Sequence, residues 1–254
     1  MITGIEYLLI FLGALAAGTV NALAGGGTLI TFPLLTAVGL PAVSANVTNT
    51  VALCPGFLGG SLAQAKELGE QRRRLWIFLP LSAIGGLIGG LILLYTGERV
   101  FRAIVPYLIL IACGLLAAQE PLRGWLCRRA QSSQAGERGE KTAALPVLLA
   151  TVYGGYFGAG MSVIVLAVLG LTVDDTLTRL NAVKQSVALV TNMTAAVYFL
   201  FSGQVVWAAA LVMAVGALLG GSLGGRLAGK VKPTTLRWIV VTIGLIVATI
   251  YLLR

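Results

Sequence analysis

The sequence predicts an all-α polytopic membrane protein made of two inverted-topology repeats. Only 11% of its 254 residues are charged and 57% are hydrophobic, against about 25% charged residues in a typical soluble domain. The segment Gly85–Gly90 recurs as Gly220–Gly225, an offset of 135 residues that also relates Asn46 to Asn181. Such a half-chain offset indicates two copies of one structural unit.

The charged loops fall at opposite ends of the two copies. The connector 66–74 of the first copy carries four basic residues, whereas its counterpart 202–204 carries none. In the second copy the connector 226–237 is basic and its counterpart 96–102 is nearly balanced. Because cytoplasmic loops collect Lys and Arg, the copies are predicted to be upside down relative to each other, a plan common in secondary transporters. Both chain termini are then expected outside.

Each repeat is predicted to contain a short-helix hairpin broken at a Gly-rich tip, followed by three transmembrane helices. Repeat 1 spans 1–118, with the hairpin at 5–38 and helices at 42–65, 75–95 and 101–118. A cytoplasmic linker follows at 119–142. Repeat 2 spans 143–254, with the hairpin at 143–170 and helices at 176–200, 205–225 and 235–253. Two full crossings need about 40 residues, so the hairpins are expected to turn inside the membrane, although the first arm of 5–38 could be long enough to cross.

The glycine-rich hairpin tips are candidate substrate-binding elements. Glycine lets the backbone leave helical geometry, and irregular backbone at membrane depth is tolerated only inside protein or beside water. The N–H groups at the start of the following helix favour an anion. The candidates are Asn21, Gly25, Gly26, Gly27 and Thr28 in repeat 1, and Gly158, Gly160 and Ser162 in repeat 2. The paired glycines at 85–90 and 220–225 are interpreted instead as helix-packing positions.

The next helix of each repeat adds a polar face by the i, i+3, i+4 rule. The residues are Asn46, Asn49 and Thr50 in repeat 1, and Asn181, Lys184 and Gln185 in repeat 2. A Lys inside a span costs about 3 kcal/mol or more and normally faces a cavity, so Lys184 suggests an anionic ligand. The alternatives are that Lys184 extends to the cytoplasmic interface or pairs with Asp175. The two faces and the tips are expected to converge on one site at the bilayer midplane.

The composition argues against other classes of protein. The chain has no histidine, and its three cysteines lack metal-ligand spacing, so no metal, cofactor or enzymatic activity is expected. Its net charge of +9 is attributed to cytoplasmic loops that meet anionic lipid, not to nucleic-acid binding. The expected partners are the lipid bilayer and a small anion. The glycine faces could pack within one chain or between two copies in a homodimer.

The motifs described above also resemble a known family. The stretch 21–33, the following 45–49, and 158–162 with the downstream Asn181 are similar to the TauE/SafE sulfite exporter family, and the resemblance covers nearly the whole chain. It implies a carrier of the bacterial or archaeal inner membrane for sulfite, sulfonates or related sulfur oxyanions, with two inverted halves.

Energetics favour export by alternating access. Moving one negative charge outward gains about 2.3 kcal/mol per 100 mV, inside negative, so an anion exporter needs no coupling ion. Three alternatives remain open: an Na⁺- or proton-coupled importer of thiosulfate, sulfonate or another organic anion, an anion channel, and a membrane scaffold without transport activity.

Overall fold

The described part of the chain is entirely helical. The structure, a computed structural model, describes residues 3–23, 26–131, 139–173, 175–227 and 233–253. Within these ranges it contains nine α-helices and one 3₁₀ helix: α1 (Gly4–Leu23), α2 (Thr28–Ala37), α3 (Ala42–Ala63), the 3₁₀ helix Ala65–Gln71, α4 (Arg72–Gln131), α5 (Gly139–Tyr156), α6 (Met161–Thr172), α7 (Leu177–Leu200), α8 (Trp207–Leu227) and α9 (Pro233–Leu253). This bears out the all-helical polytopic class.

Four helices of the described chain are long and apolar enough to cross a membrane: α1, α4, α8 and α9. Helix α4 is interrupted at Gly97, whose φ of 73° and ψ of 162° are not helical, so its 60 residues form two successive helical segments. Helices α2 and α6 have 10 and 12 residues. At about 1.5 Å per residue they reach about 15–18 Å, too short for a core about 30 Å thick.

Most of the predicted linker 119–142 is helical within the described residues. Helix α4 continues to Gln131 and α5 begins at Gly139; residues 132–138 lie outside the described ranges. Leu126 explains the helical extension, since its side chain is 2% exposed and lies against Gly170 of α6. The first arms of the hairpins have 20 residues in α1 and 18 in α5.

The helices of one half pack closely against those of the other. A Cβ added at Gly89 would lie 2.1 Å from the carbonyl oxygen of Val152 in α5, and one at Gly220 would lie 2.0 Å from that of Leu15 in α1. Such distances require a backbone shift, so only glycine allows these helices to approach so closely. Gly89 and Gly220 therefore serve packing within one chain.

Polar contacts gather at the two ends of the bundle. At one end Arg73 pairs with Glu140 over 3.2 Å, and Arg237 pairs with Glu120 over 3.0 Å. These residues belong to the segments that the charge distribution predicts to be cytoplasmic. At the other end Glu98 accepts hydrogen bonds from the backbone N–H groups of Ala42 and Val43, over 2.5 and 2.9 Å. We call the two ends the basic end and the Glu98 end.

Candidate substrate site

The two hairpin tips lie against the same turn of α4. Gly26 and Gly160 have φ values of 91° and 80°, in the left-handed region that favours glycine. A Cβ at Gly26 would lie 2.7 Å from Leu116, and a Cβ at Gly160 would lie 3.1 Å from Leu115. Because these two leucines are consecutive, the tips of both halves meet at one level of the bundle. Gly25 lies outside the described residues.

The first tip is held by Asn21. Its side-chain oxygen accepts a hydrogen bond of 3.0 Å from the N–H of Gly27, and the carbonyl of Gly27 accepts from the N–H groups of Ile30 and Thr31. One N–H at the start of α2 is therefore already occupied by the protein. Thr28 is half-buried, and its hydroxyl makes no hydrogen bond with the described residues.

The second tip has a different backbone path. Gly158, with φ of 82°, accepts a hydrogen bond of 3.3 Å from the N–H of Met161, while Gly160 accepts from Val163 and Ile164. The hydroxyl of Tyr153 donates to the carbonyl of Ala159 over 2.7 Å. Ser162 is half-buried, and its hydroxyl has no hydrogen-bond partner within the described ranges.

The polar residues of α3 form a buried cluster near the Glu98 end. Asn46 is 1% exposed and donates from Nδ2 to the carbonyl of Tyr156, the last residue of α5, over 2.8 Å. Asn49 is also 1% exposed, and its side-chain oxygen accepts from the hydroxyl of Thr31 in α2. Thr50 donates to the carbonyl of Asn46 within the helix. We call Asn46, Asn49, Thr31 and the Tyr156 carbonyl the Asn46 cluster.

The polar residues of α7 form a second cluster toward the basic end. The ammonium group of Lys184 donates to Oδ1 of Asn181 over 2.6 Å, and Nδ2 of Asn181 donates to Oε1 of Gln64 over 2.9 Å. All three side chains are half-buried. Gln185 contributes its backbone carbonyl, which accepts from the hydroxyl of Ser61 over 3.2 Å. We call Lys184, Asn181 and Gln64 the Lys184 cluster.

The hydrogen-bond directions within the Lys184 cluster are fixed by its chemistry. An ammonium group only donates, so the Asn181 atom facing it must be the oxygen, and the Asn181 nitrogen must then face the oxygen of Gln64. Both amide oxygens are thus engaged inside the cluster. The groups that remain available to a ligand are N–H donors on Lys184, Asn181 and Gln64. Arg123 of α4 adds positive potential at Lys184. A group of donors with net positive charge is suited to an oxyanion.

The structure places the predicted polar residues of α3 and α7 in these two clusters. The Asn46 cluster contacts both hairpin tips, through Thr31 on the Gly27 carbonyl and through the Tyr156 carbonyl. Gln64 follows Asn46 by 18 residues, which places the clusters about 27 Å apart along the line of α3 at about 1.5 Å per residue. One small ligand therefore does not contact both clusters at once. The physical reason is that α3 and α7 pack side by side with each polar face near the start of its own helix, so the two faces lie toward opposite ends.

Asp175 is not the partner of Lys184. Its carboxylate pairs with Arg74 and, over 3.8 Å, with Arg179, and it accepts from Gln71 over 2.8 Å. Partial burial by itself would raise the pKa of Asp175, but hydrogen bonds from Gln71, Arg74 and the Thr176 backbone hold that pKa below its usual 3.8. Within the described ranges Lys184 makes no ion pair; Asp174 lies outside them.

Sequence reasoning missed Gln64, Thr31 and Glu98. Gln64 lies at the end of an apolar run, where a polar residue is ordinarily assigned to the membrane interface, and no repeat partner distinguishes it. Glu98 lines a cleft of about 500 Å³ at its end of the bundle, together with Ser44 and Gln204, whose side chains are joined by a hydrogen bond of 2.7 Å. Among the described residues no group of His, Cys, Asp and Glu could hold a metal ion.

Sequence comparison identifies the family. The family model described as "Sulfite exporter TauE/SafE" matches residues 10–251. The chain belongs to this family. It therefore belongs with multi-pass membrane transporters, as its apolar helices and the curated relatives also indicate. No solved structure matches this TauE/SafE chain.

The relatives of this TauE/SafE protein are described as transporters. A "Probable membrane transporter protein" of Haemophilus influenzae is 29% identical over 224 residues, covering 86% of this chain and 84% of the relative. The "Probable membrane transporter protein YfcA" of Escherichia coli K12 is 28% identical over 221 residues, covering 83% and 76%. The "Probable membrane transporter protein ORF9" of Sinorhizobium sp is 28% identical over 212 residues, covering 83% and 78%.

Proposed function

We propose that this TauE/SafE protein exports sulfite, or a related small sulfur oxyanion or organosulfonate, across the inner membrane by alternating access. The observation that carries the proposal is the Lys184 cluster. Its amide oxygens are engaged with neighbouring donors, so it offers a ligand one positive charge and several N–H groups. An oxyanion supplies the acceptors that such a cluster lacks.

The membrane potential is the proposed driving force. Each negative charge that leaves the cell gains about 2.3 kcal/mol per 100 mV. Glu98 and Glu120 do not act as proton carriers in this scheme, since Glu98 caps α3 and Glu120 pairs with Arg237. Export of the anion alone then suffices, without a coupling ion.

The proposed inverted topology places the basic end in the cytoplasm and both termini outside. Two observations support this topology: the loop charges, and the ion pairs that join those loops at one end of the bundle. Cys127 tests this orientation because it is exposed, whereas Cys54 and Cys113 are buried. A membrane-impermeant maleimide should label Cys127 in inverted vesicles and not in intact cells. Labelling only from outside the cell would reverse the proposed orientation.

Transport by purified protein in liposomes tests the proposed function. We expect a saturable sulfite flux. The flux should increase when an imposed potential drives negative charge out of the compartment that the basic end faces. Lys184→Gln should lower this flux at least tenfold. Arg73→Gln is the matched control, because it removes one positive charge from an 85% exposed side chain at the same end and should leave flux within about twofold. Flux that ignores the potential, or a fully active Lys184→Gln protein, would refute the proposal.

A further inference from the structure

The Asn46 and Lys184 clusters occupy related positions in the two repeats but differ in charge. Asn46 and Asn49 are separated from Asn181 and Lys184 by the same offset of 135 residues. Asn49, with a neutral amide, is therefore the residue of repeat 1 that corresponds to Lys184. We propose that the Asn46 cluster is a second, uncharged binding station for the same oxyanion, and that the protein binds its anion more weakly from the Glu98 end than from the basic end. This inference rests on the proposed transport function.

An unpartnered atom points to a ligand at the Asn46 cluster. The Tyr156 carbonyl only accepts hydrogen bonds, so the Asn46 atom facing it at 2.8 Å is the nitrogen. The remaining Oδ1 of Asn46 is buried and has no hydrogen-bond partner within the described ranges. A buried polar atom of this kind is costly unless something bonds to it. A hydrated oxyanion, or one that carries a proton, can supply the missing donor.

Asn49 can supply the complementary donor. The Thr31 hydroxyl has one hydrogen and lies within reach of two acceptors, the Gly27 carbonyl over 3.1 Å and Oδ1 of Asn49. The amide nitrogen of Asn49 makes no hydrogen bond with the described residues. The Asn46 cluster thus contains one acceptor on Asn46 and one amide donor on Asn49, on the same face of α3 and without charge. The Lys184 cluster presents donors and a full positive charge. Both clusters can hold an oxygen-rich anion, and they differ in the affinity with which they bind it.

The size of that difference follows from the hydrogen bonds. Bonds to charged groups contribute more than bonds between neutral groups, and the gap corresponds to about a tenfold change in affinity. A passive carrier cannot alter the equilibrium distribution of its substrate. The asymmetry therefore appears as a higher half-saturation concentration on the side of the Glu98 end, which lets the exported anion leave readily.

Two-sided transport kinetics test the inference. Sulfite uptake would be measured at zero potential in right-side-out and in inverted membrane vesicles. We expect half-saturation at about tenfold higher sulfite from the Glu98 end than from the basic end. Lys184→Asn removes the charge that distinguishes the two clusters and should bring the two values within about twofold. Asn46→Ala should raise only the value measured from the Glu98 end.

Two further variants sharpen the test. The double exchange Asn49→Lys with Lys184→Asn moves the charge to the other station and should invert the preference. If that protein does not fold, the wild-type and Lys184→Asn measurements still decide the question. Asn192→Ala is the control, because among the described residues the Asn192 amide bonds only within its own helix, to the carbonyl of Ala188 over 2.8 Å.

The outcomes separate the inference from the proposed function. Sulfite transport with equal half-saturation from both sides of the wild-type protein would overturn the two-station asymmetry while leaving the transport function intact. No saturable sulfite flux from either side would overturn the proposed function, and the inference with it.

Discussion

The ammonium group of Lys184 lies 2.6 Å from the side-chain oxygen of Asn181, one helical turn earlier on α7. This contact orients the ammonium group without neutralising it. The Asn181 nitrogen in turn bonds to Gln64 at the end of α3, so residues from both halves of the chain hold the same charge. A change in the packing of α3 against α7 would therefore change the position of that charge.

Asn181→Ala should weaken anion binding without unfolding the protein. The substitution removes the acceptor that orients Lys184 and the donor that engages Gln64, so we expect sulfite affinity to fall about five- to tenfold. Isothermal titration of the purified protein with sulfite measures this change. Asn192→Ala, on the same helix but bonded to its own backbone, should bind as the wild type does. Equal losses in both variants would point to a general effect on α7.

Gly220→Ala should destabilise the protein, whereas Gly221→Ala should not. A Cβ at Gly220 would lie 2.0 Å from the Leu15 carbonyl oxygen, while one at Gly221 has nothing within 4 Å. Overpacking of this kind costs about 1–3 kcal/mol, and Ala is the better helix former at an open position. The thermal unfolding temperatures in detergent should therefore fall for the first variant and stay the same or rise for the second. Unchanged unfolding of Gly220→Ala would contradict the close approach of α1 and α8.

The ion-pair group around Asp175 should weaken in acid. The pKa of Asp175 in the folded protein lies below its usual 3.8, so its stabilising effect is present above that value and is lost as the pH falls through the folded value. Asp175→Asn should therefore lower the unfolding temperature at pH 7, and the difference from the wild type should shrink below about pH 4. A difference that is constant from pH 7 to pH 3 would show that the charge of Asp175 is not the stabilising feature.

Glu98→Ala should loosen the start of α3. The carboxylate accepts hydrogen bonds from the N–H groups of Ala42 and Val43, which have no partner inside the helix. Loss of such a cap costs about 1 kcal/mol, and amide hydrogen exchange at residues 42–45 should become faster. Arg99→Ala, an exposed neighbour, is the control for a charge change in the same turn. Unaltered exchange in Glu98→Ala would exclude the capping role.

The sequence alone predicted the membrane class, the short second arms of the hairpins and the closely packed glycines. These features depend on local composition and spacing, because a span needs a minimum number of apolar residues and a close helix contact needs a missing Cβ. It also identified Lys184, since an isolated charge in an apolar run is conspicuous. It did not show that 119–131 continues the helix, which Leu126 supports by packing on α6.

What only the tertiary structure decided is which polar groups meet. Asn46 and Asn181 match by position in the repeat, yet Asn46 bonds to the end of α5 and Asn181 bonds to Gln64. No periodicity in the sequence relates Asn181 to Gln64, 117 residues earlier, because their contact depends on how α3 and α7 lie against each other. The sequence therefore determined that the chain spans a membrane and carries an unusual cation. Packing placed Lys184 among N–H donors toward the basic end. Its neutral counterpart Asn49 lies toward the Glu98 end, on the same helix face as the Asn46 oxygen that has no hydrogen-bond partner among the described residues.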